Sequence, residues 1–138
     1  MRFRRKSIVS GLVVLHLLCI LTNYTVMFDM NAGLIGFLCS AFLTLAWVYA
    51  VSSLRTRKQK RFSFIYWSAA AAFCLFIIFS GNELISAENL LLAPLWTIFY
   101  TPFSGISYLF SSPAALWFIH GFTLLMFLIF AVRRRSGS

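Results

Sequence analysis

The chain has 138 residues, of which 61% are hydrophobic and only 11% are charged. Soluble domains carry about a quarter charged residues, so this composition excludes one and indicates an integral membrane protein. The net charge of +9 does not indicate a nucleic-acid partner, because the cations lie in short clusters between apolar spans and not on a basic face of a folded domain.

The signs of the charges alternate along the chain. All twelve basic residues fall within residues 2–6, 55–61 and 133–135, and the three acids, Asp29, Glu83 and Glu88, lie in the gaps between them. This is the positive-inside pattern. It predicts a protein of the bacterial cytoplasmic membrane with both termini in the cytoplasm. An even number of crossings follows, so residues 1–138 are expected to form one all-α membrane domain, a four-helix bundle of two antiparallel hairpins.

The first predicted helix covers residues 7–27. An apolar run of about 20 residues crosses roughly 30 Å of hydrocarbon. A basic start before an apolar run is also typical of a secretory signal, but this run is long and no A-x-A-like cleavage site follows it. We therefore expect an uncleaved helix.

The second predicted helix covers residues 32–54, with Asn31 as its N-cap. Small residues recur every four positions at Gly36, Ser40 and Thr44, and Gly33 lies one turn earlier near the same face. Such spacing lets two helix backbones approach closely in lipid. It predicts a helix-packing seam, and a ligand groove is the alternative.

A basic loop is predicted at residues 55–61, before a third helix at residues 62–80. The loop is expected to orient the chain and to attract anionic lipid headgroups, through Arg55, Arg57, Lys58, Lys60 and Arg61. Four aromatic residues near the inner helix ends are expected to be interfacial anchors. They are Trp47, Tyr49, Tyr66 and Trp67.

Residues 81–112 are nearly as apolar as the helices but are interrupted by Pro94, Pro102 and Gly105. Ser86 is expected to cap a short helix at residues 87–93. We predict an interfacial or re-entrant helical segment on the outer side, which either covers the bundle as a cap or binds a partner or lipid. The residues assigned to that surface are Pro94, Trp96, Tyr100, Pro102 and Tyr108. A fifth span is the alternative, but it would place Arg133 to Arg135 outside.

The fourth predicted helix covers residues 113–132, with Pro113 in its first turn and a cytoplasmic tail at residues 133–138. Within the spans the two histidines are the first places to look for function. His16 lies roughly 14 Å and His120 roughly 18 Å from the inner helix ends. At these depths the two imidazoles can face each other.

His16, Cys19 and Asn23 form one polar stripe on the first helix, and His120 and Thr123 share a face of the fourth. Together with Ser40 and Thr44 they form the candidate intramembrane site. Three interpretations remain open: imidazoles hydrogen-bonded to neighbouring helices, a haem b with two axial histidines, or a proton or quinone site. Apart from that haem, no cofactor is expected.

The spans contain no acid, and the chain contains no H-E-x-x-H, G-x-S-x-G or P-loop motif. Glu83 and Glu88 are five positions apart, which favours a solvated turn over a cation site. We therefore expect no catalytic residue and no metal. The first hypothesis is a non-enzymatic accessory, regulatory or assembly subunit that binds a larger membrane protein or its own copies. The alternatives are a small oligomeric transporter or channel for an apolar or amphipathic solute, and a haem- or quinone-binding redox subunit.

Overall fold

The computed structural model describes residues 3–24, 33–80 and 92–135. Within these ranges the chain is helical and contains no strand. The elements are α1 (Phe3–Asn23), α2 (Leu34–Ser53), α3 (Arg57–Ser80), α4 (Ala93–Phe99), a 3-10 helix (Thr101–Tyr108) and α5 (Ser112–Arg135).

Three of the described helices are long and apolar enough to cross a membrane: α2, α3 and Pro113–Arg134 of α5. The apolar part of α1, Ile8–Asn23, is shorter. The expected all-helical class with apolar helices of membrane length is therefore confirmed for the described part of the chain.

Several helix boundaries differ from the predicted ones. α1 begins at Phe3 and ends at Asn23, where residues 7–27 were expected. α5 continues to Arg135, so the arginines from position 133 extend the helix and do not form a tail. Arginine is a good helix former, which explains the continuation. The predicted cap Asn31 lies outside the described residues, and Gly33 occupies the N-cap position of α2.

The basic loop predicted at residues 55–61 is wrong, because α3 begins at Arg57. The Gln59 backbone N–H donates to Thr56 Oγ1 at 3.2 Å, and the Thr56 N–H donates to Gln59 Oε1 at 3.4 Å. This reciprocal pair is a capping box, which satisfies donors that a helix start leaves unpaired. Only residues 54–56 separate α2 from α3. Four of the five basic residues of the predicted loop lie in the first turns of α3.

Residues 92–108, called the inserted segment below, lie between two helix pairs. α1 packs on α2, α3 packs on α5, and the 3-10 helix contacts α1, α2 and α5. The segment is buried at residues 99–103, 105 and 106. It therefore differs from the expected cap, because it fills space between the helices and does not only cover their ends.

Two prolines explain the shape of the inserted segment. Pro94 lies in the first turn of α4 and Pro102 in the first turn of the 3-10 helix, where a missing N–H removes no helical hydrogen bond. The result is two short helices of 7 and 8 residues. Neither is long enough to cross roughly 30 Å of hydrocarbon, which counts against the fifth-span alternative.

An aromatic cluster joins the inserted segment to α2 and α3. Trp47 stacks on Tyr66 at 5.4 Å between ring centroids, and Trp67 lies 5.1 Å from Trp47 and 6.3 Å from Phe103. Trp47 is 3% and Trp67 1% exposed. The expectation that these two tryptophans are interfacial anchors is therefore wrong, whereas Tyr49 is exposed. Position along a helix predicts depth, but it does not predict which face is buried.

Candidate functional site

A buried polar junction connects α1, α2 and the inserted segment. The Ser40 hydroxyl donates to the Pro102 carbonyl at 2.7 Å and accepts from Asn23 Nδ2 at 3.0 Å and from the Gly105 N–H at 3.2 Å. A hydroxyl has one donor and two acceptor positions, so Ser40 uses all three. Asn23 and Ser40 are both 0% exposed. The junction therefore pairs the Ser40 hydroxyl and Asn23 Nδ2, groups that lipid cannot pair, whereas Asn23 Oδ1 has no partner among the described residues.

Two glycines let the three elements approach this closely. A Cβ atom on Gly36 would overlap Asn23 Oδ1, and a Cβ atom on Gly105 would overlap the Gly36 carbonyl and lie 2.6 Å from Ser40 Oγ. The structure thus places Gly36 and Ser40 of the predicted seam against α1 and the 3-10 helix. Gly33 has no atom of the described residues near its Cβ position, and Thr44 donates to the Ser40 carbonyl within α2.

His16 binds the inserted segment at the end of α4. Its Nε2 lies 2.8 Å from the Ile98 carbonyl oxygen, and because a carbonyl only accepts, Nε2 carries the proton. Ile98 is in the last turn of a helix, where carbonyls lack helical partners. The His16 ring also meets Tyr66 edge-on at 5.6 Å and Phe103 at 6.3 Å. His16 therefore holds the segment in place.

His120 meets a different part of the inserted segment. Its ring lies edge-on to Tyr100 at 5.4 Å and to Trp117 at 5.8 Å. It is 5% exposed, and neither ring nitrogen has a hydrogen-bond partner among the described residues. The Tyr100 hydroxyl interacts with the Cys74 thiol. The described contacts thus join each histidine to the segment and do not join the histidines to each other.

The other predicted residues of the intramembrane site are also inside the protein. The Cys19 thiol donates to the Cys39 carbonyl at 3.2 Å, which extends the α1–α2 contact beyond the junction. Thr123 is 4% exposed, on the same helix as His120. All three cysteines are free. The structure therefore brings Cys19, Asn23 and Ser40 to one helix interface and leaves His120 and Thr123 at another.

The residues assigned to the outer surface divide into two groups. Trp96 stacks on Tyr100 at 4.4 Å, and Tyr100 and Pro102 are buried. Pro94 and Tyr108 are exposed, although Tyr108 stacks on Phe37 of α2 at 5.9 Å. Glu83 and Glu88 lie outside the described residues.

Sequence reasoning missed the backbone groups that the polar side chains bind. The Pro102 and Ile98 carbonyls and the Gly105 N–H carry no side-chain signal of their own. Pro102 and Gly105 indicated an interruption of the helix. Their spacing did not show that the Pro102 carbonyl and the Gly105 N–H are paired with Ser40. The signal that could have been used is the rule that irregular backbone at membrane depth needs a polar partner.

Metal-ligating side chains do not cluster in the described part of the chain, where no group of three or more His, Cys, Asp or Glu side chains lies close enough to hold a metal ion. Several of the buried polar atoms bind other parts of this chain. Others have no hydrogen-bond partner among the described residues, including His16 Nδ1, Asn23 Oδ1 and both His120 ring nitrogens. No family model, curated protein or solved structure matches the sequence.

Proposed function

We propose that this chain is a non-catalytic multi-pass membrane protein that binds a larger membrane protein as an accessory, regulatory or assembly subunit. In this proposal α1, α2, α3 and α5 cross a bacterial cytoplasmic membrane, with the basic helix ends in the cytoplasm. The inserted segment is then a re-entrant element that enters and leaves from the outer side.

The observation that supports a binding role is how the interior polar residues are used. Ser40 has both acceptor positions and its one donor occupied, and Asn23 and His16 bind the same inserted segment through the Pro102 and Ile98 carbonyls. In a transporter or channel these side chains would line a path for solute. Here they hold the chain's own backbone, which favours a rigid body that acts through its outer surface.

One helix face has the spacing expected for packing against a partner helix. α2 exposes large side chains at intervals of three and four residues, which is the spacing at which facing helices interdigitate. Each of these side chains is more than half exposed: Ile35, Leu38, Phe42, Leu45 and Tyr49. The opposite face of α2 carries Gly36 and Ser40 and is already occupied.

The test is site-specific photo-crosslinking in intact membranes. A photoreactive residue at Phe42 is expected to give one discrete adduct with another membrane protein. The same residue at Leu125, which is exposed on α5, serves as the matched control and is expected to give none. Adducts formed only with a second copy of this chain would show that the α2 face binds another copy of the protein and not a different membrane protein. Equal labelling by lipid at both positions, with a lone monomer after mild extraction, would overturn the proposal.

A second candidate function is a quinone site at His120. Both ring nitrogens of His120 are buried without a hydrogen-bond partner among the described residues, and burying a polar group without a hydrogen bond is unfavourable. The Tyr100 hydroxyl beside them interacts only with the Cys74 thiol in that part of the chain. A quinone carbonyl accepts hydrogen bonds from donors of this kind. Trp96 and Trp117 supply apolar walls beside them.

Solvent extraction of the purified protein tests this candidate. A bound quinone is expected in the extract of the unaltered protein and of His16→Leu, and it is expected to be lost from His120→Leu. The visible spectrum of the same samples tests haem, whose two axial ligands would require both histidines. A colourless protein whose extract contains no quinone would remove the redox candidates.

A further inference from the structure

A crevice lies at the basic end of the bundle, far from the polar junction. It has a volume of about 390 Å³ and lies between the last turn of α2 and the last turns of α5. Its lining is aliphatic apart from one hydroxyl and one guanidinium: Val51, Ser52, Leu128, Ile129, Val132 and Arg133. The crevice thus combines an apolar trough with a cation at its end.

Neighbouring arginines on α5 have different surroundings. The Arg134 guanidinium lies 4.7 Å from the centre of the Phe64 ring on α3, in a cation–π contact. Arg133 lines the crevice on the side of α2. The Ser52 hydroxyl donates to the Tyr49 carbonyl at 2.9 Å, so it has no proton left for a ligand. Among the lining residues, Arg133 is therefore the group that can attract an anion.

The chain supplies little negative charge to this end of the bundle. Arg55 follows α2 by two residues, and Arg57, Lys58, Lys60 and Arg61 open α3. The sequence contains no acid in residues 30–82 or 89–138. Asp29 and Glu83 follow α1 and α3 in the sequence, and Glu88 comes later. The described residues at this end of the bundle therefore carry a strong positive charge.

We propose that this crevice binds an anionic phospholipid, with one acyl chain along the aliphatic trough and the phosphate on Arg133. Guanidinium groups bind phosphate through paired hydrogen bonds, and basic pockets between membrane helices bind anionic headgroups. An acyl chain gains little by moving from lipid to an apolar trough, since both are equally apolar. The selectivity for anionic lipid therefore comes from the charge, and the trough sets the position.

Native mass spectrometry of the detergent-solubilised protein tests the proposal. Phosphatidylglycerol and phosphatidylcholine with identical acyl chains are added at matched concentrations. We expect one tightly retained phosphatidylglycerol and weaker retention of phosphatidylcholine. Arg133→Gln is expected to reduce phosphatidylglycerol binding roughly fivefold, the effect of about one basic residue near an anionic surface. Arg134→Gln removes the same charge one residue away and is expected to change binding much less.

A variant that fills the crevice distinguishes a defined lipid site from general attraction of anionic lipid to the basic helix ends. Ser52 is exposed, so Ser52→Phe fills the crevice without removing any cation. We expect this variant to lose the retained lipid while its helix content and monodispersity stay unchanged. Equal retention of both lipids, or equal loss in the Arg133 and Arg134 variants, would overturn the proposal. Displacement of the lipid by millimolar inorganic phosphate would also overturn it, because the site would then bind free phosphate.

Discussion

Ser40 makes three hydrogen bonds where α1, α2 and the inserted segment meet. Replacing it with alanine removes the side-chain partner of the Gly105 N–H and of the Pro102 carbonyl, and it leaves Asn23 Nδ2 with only the 3.4 Å contact to Pro102. Leaving buried polar groups unpaired costs about 1–3 kcal/mol. Hydrogen bonds between membrane helices contribute about 0.6 kcal/mol on average. Loss of one ordinary interhelical hydrogen bond would therefore lower the stability by less than loss of the Ser40 hydroxyl.

Ser40→Ala is therefore expected to lower the free energy of unfolding by about 1–3 kcal/mol, measured by thermal unfolding in detergent. Ser52→Ala is the matched control, because Ser52 is exposed and bonds only within its own helix. Equal stability of the two variants would show that the junction is not formed in the protein.

Gly105 and Gly121 form a second matched pair at residue level. Gly105→Ala places a methyl group against the Gly36 carbonyl, whereas Gly121→Ala meets no atom within 4 Å. Overpacking costs about 1–3 kcal/mol, but alanine in an open helix position gains up to about 1 kcal/mol over glycine. We expect the thermal midpoint to fall for Gly105→Ala and to stay or rise for Gly121→Ala. The reverse order would contradict the close approach of the 3-10 helix to α2.

The inserted segment supplies buried residues to the space between the two helix pairs. Phe99 packs on Phe73 of α3 at 6.0 Å, Phe103 contacts Trp67, and Pro102 binds Ser40 of α2. The segment thus contacts both helix pairs through aromatic rings and a hydrogen-bonded backbone. An apolar crevice of about 430 Å³ remains between α3 and α4 beside the Phe73–Phe99 contact.

Thiol labelling tests the depth of the segment. In a background in which the three native cysteines are alanine, Leu109→Cys is expected to react readily with a water-soluble maleimide. Leu109 is 59% exposed, and Ile106 is 5% exposed. Ile106→Cys is expected to react only after denaturation. Similar rates at both positions in the native protein would indicate a segment that lies on the surface.

Across the whole molecule, we expect the basic residues on the cytoplasmic side of the membrane and the acidic residues on the outer side. Reporter fusions at residue 55 and after residue 135 should both fold as cytoplasmic reporters. A fusion at residue 110, between the 3-10 helix and α5, should be active only on the outer side. If the segment were a fifth span, the reporters at 110 and 135 would exchange sides, and three arginines would lie outside against the positive-inside rule.

Composition and hydropathy predicted the helical class and the long apolar helices well, because both depend on local sequence. The polar stripe on α1 was also readable, since helical periodicity alone places His16, Cys19 and Asn23 on one face. The start of α3 could have been predicted from Thr56 and Gln59, which match the capping-box pattern. Cation content was taken as evidence for a loop there, although lysine and arginine are good helix formers.

The depth and partners of the inserted segment could not be read from the sequence. An apolar stretch broken by prolines has the same composition whether it lies in the interface or between helices. The choice depends on contacts between residues far apart in the chain, such as Ser40 with Pro102, 62 positions apart, and His16 with Ile98, 82 positions apart. For the same reason depth alone suggested that His16 and His120 face each other, whereas packing gives each histidine its own contact with the segment.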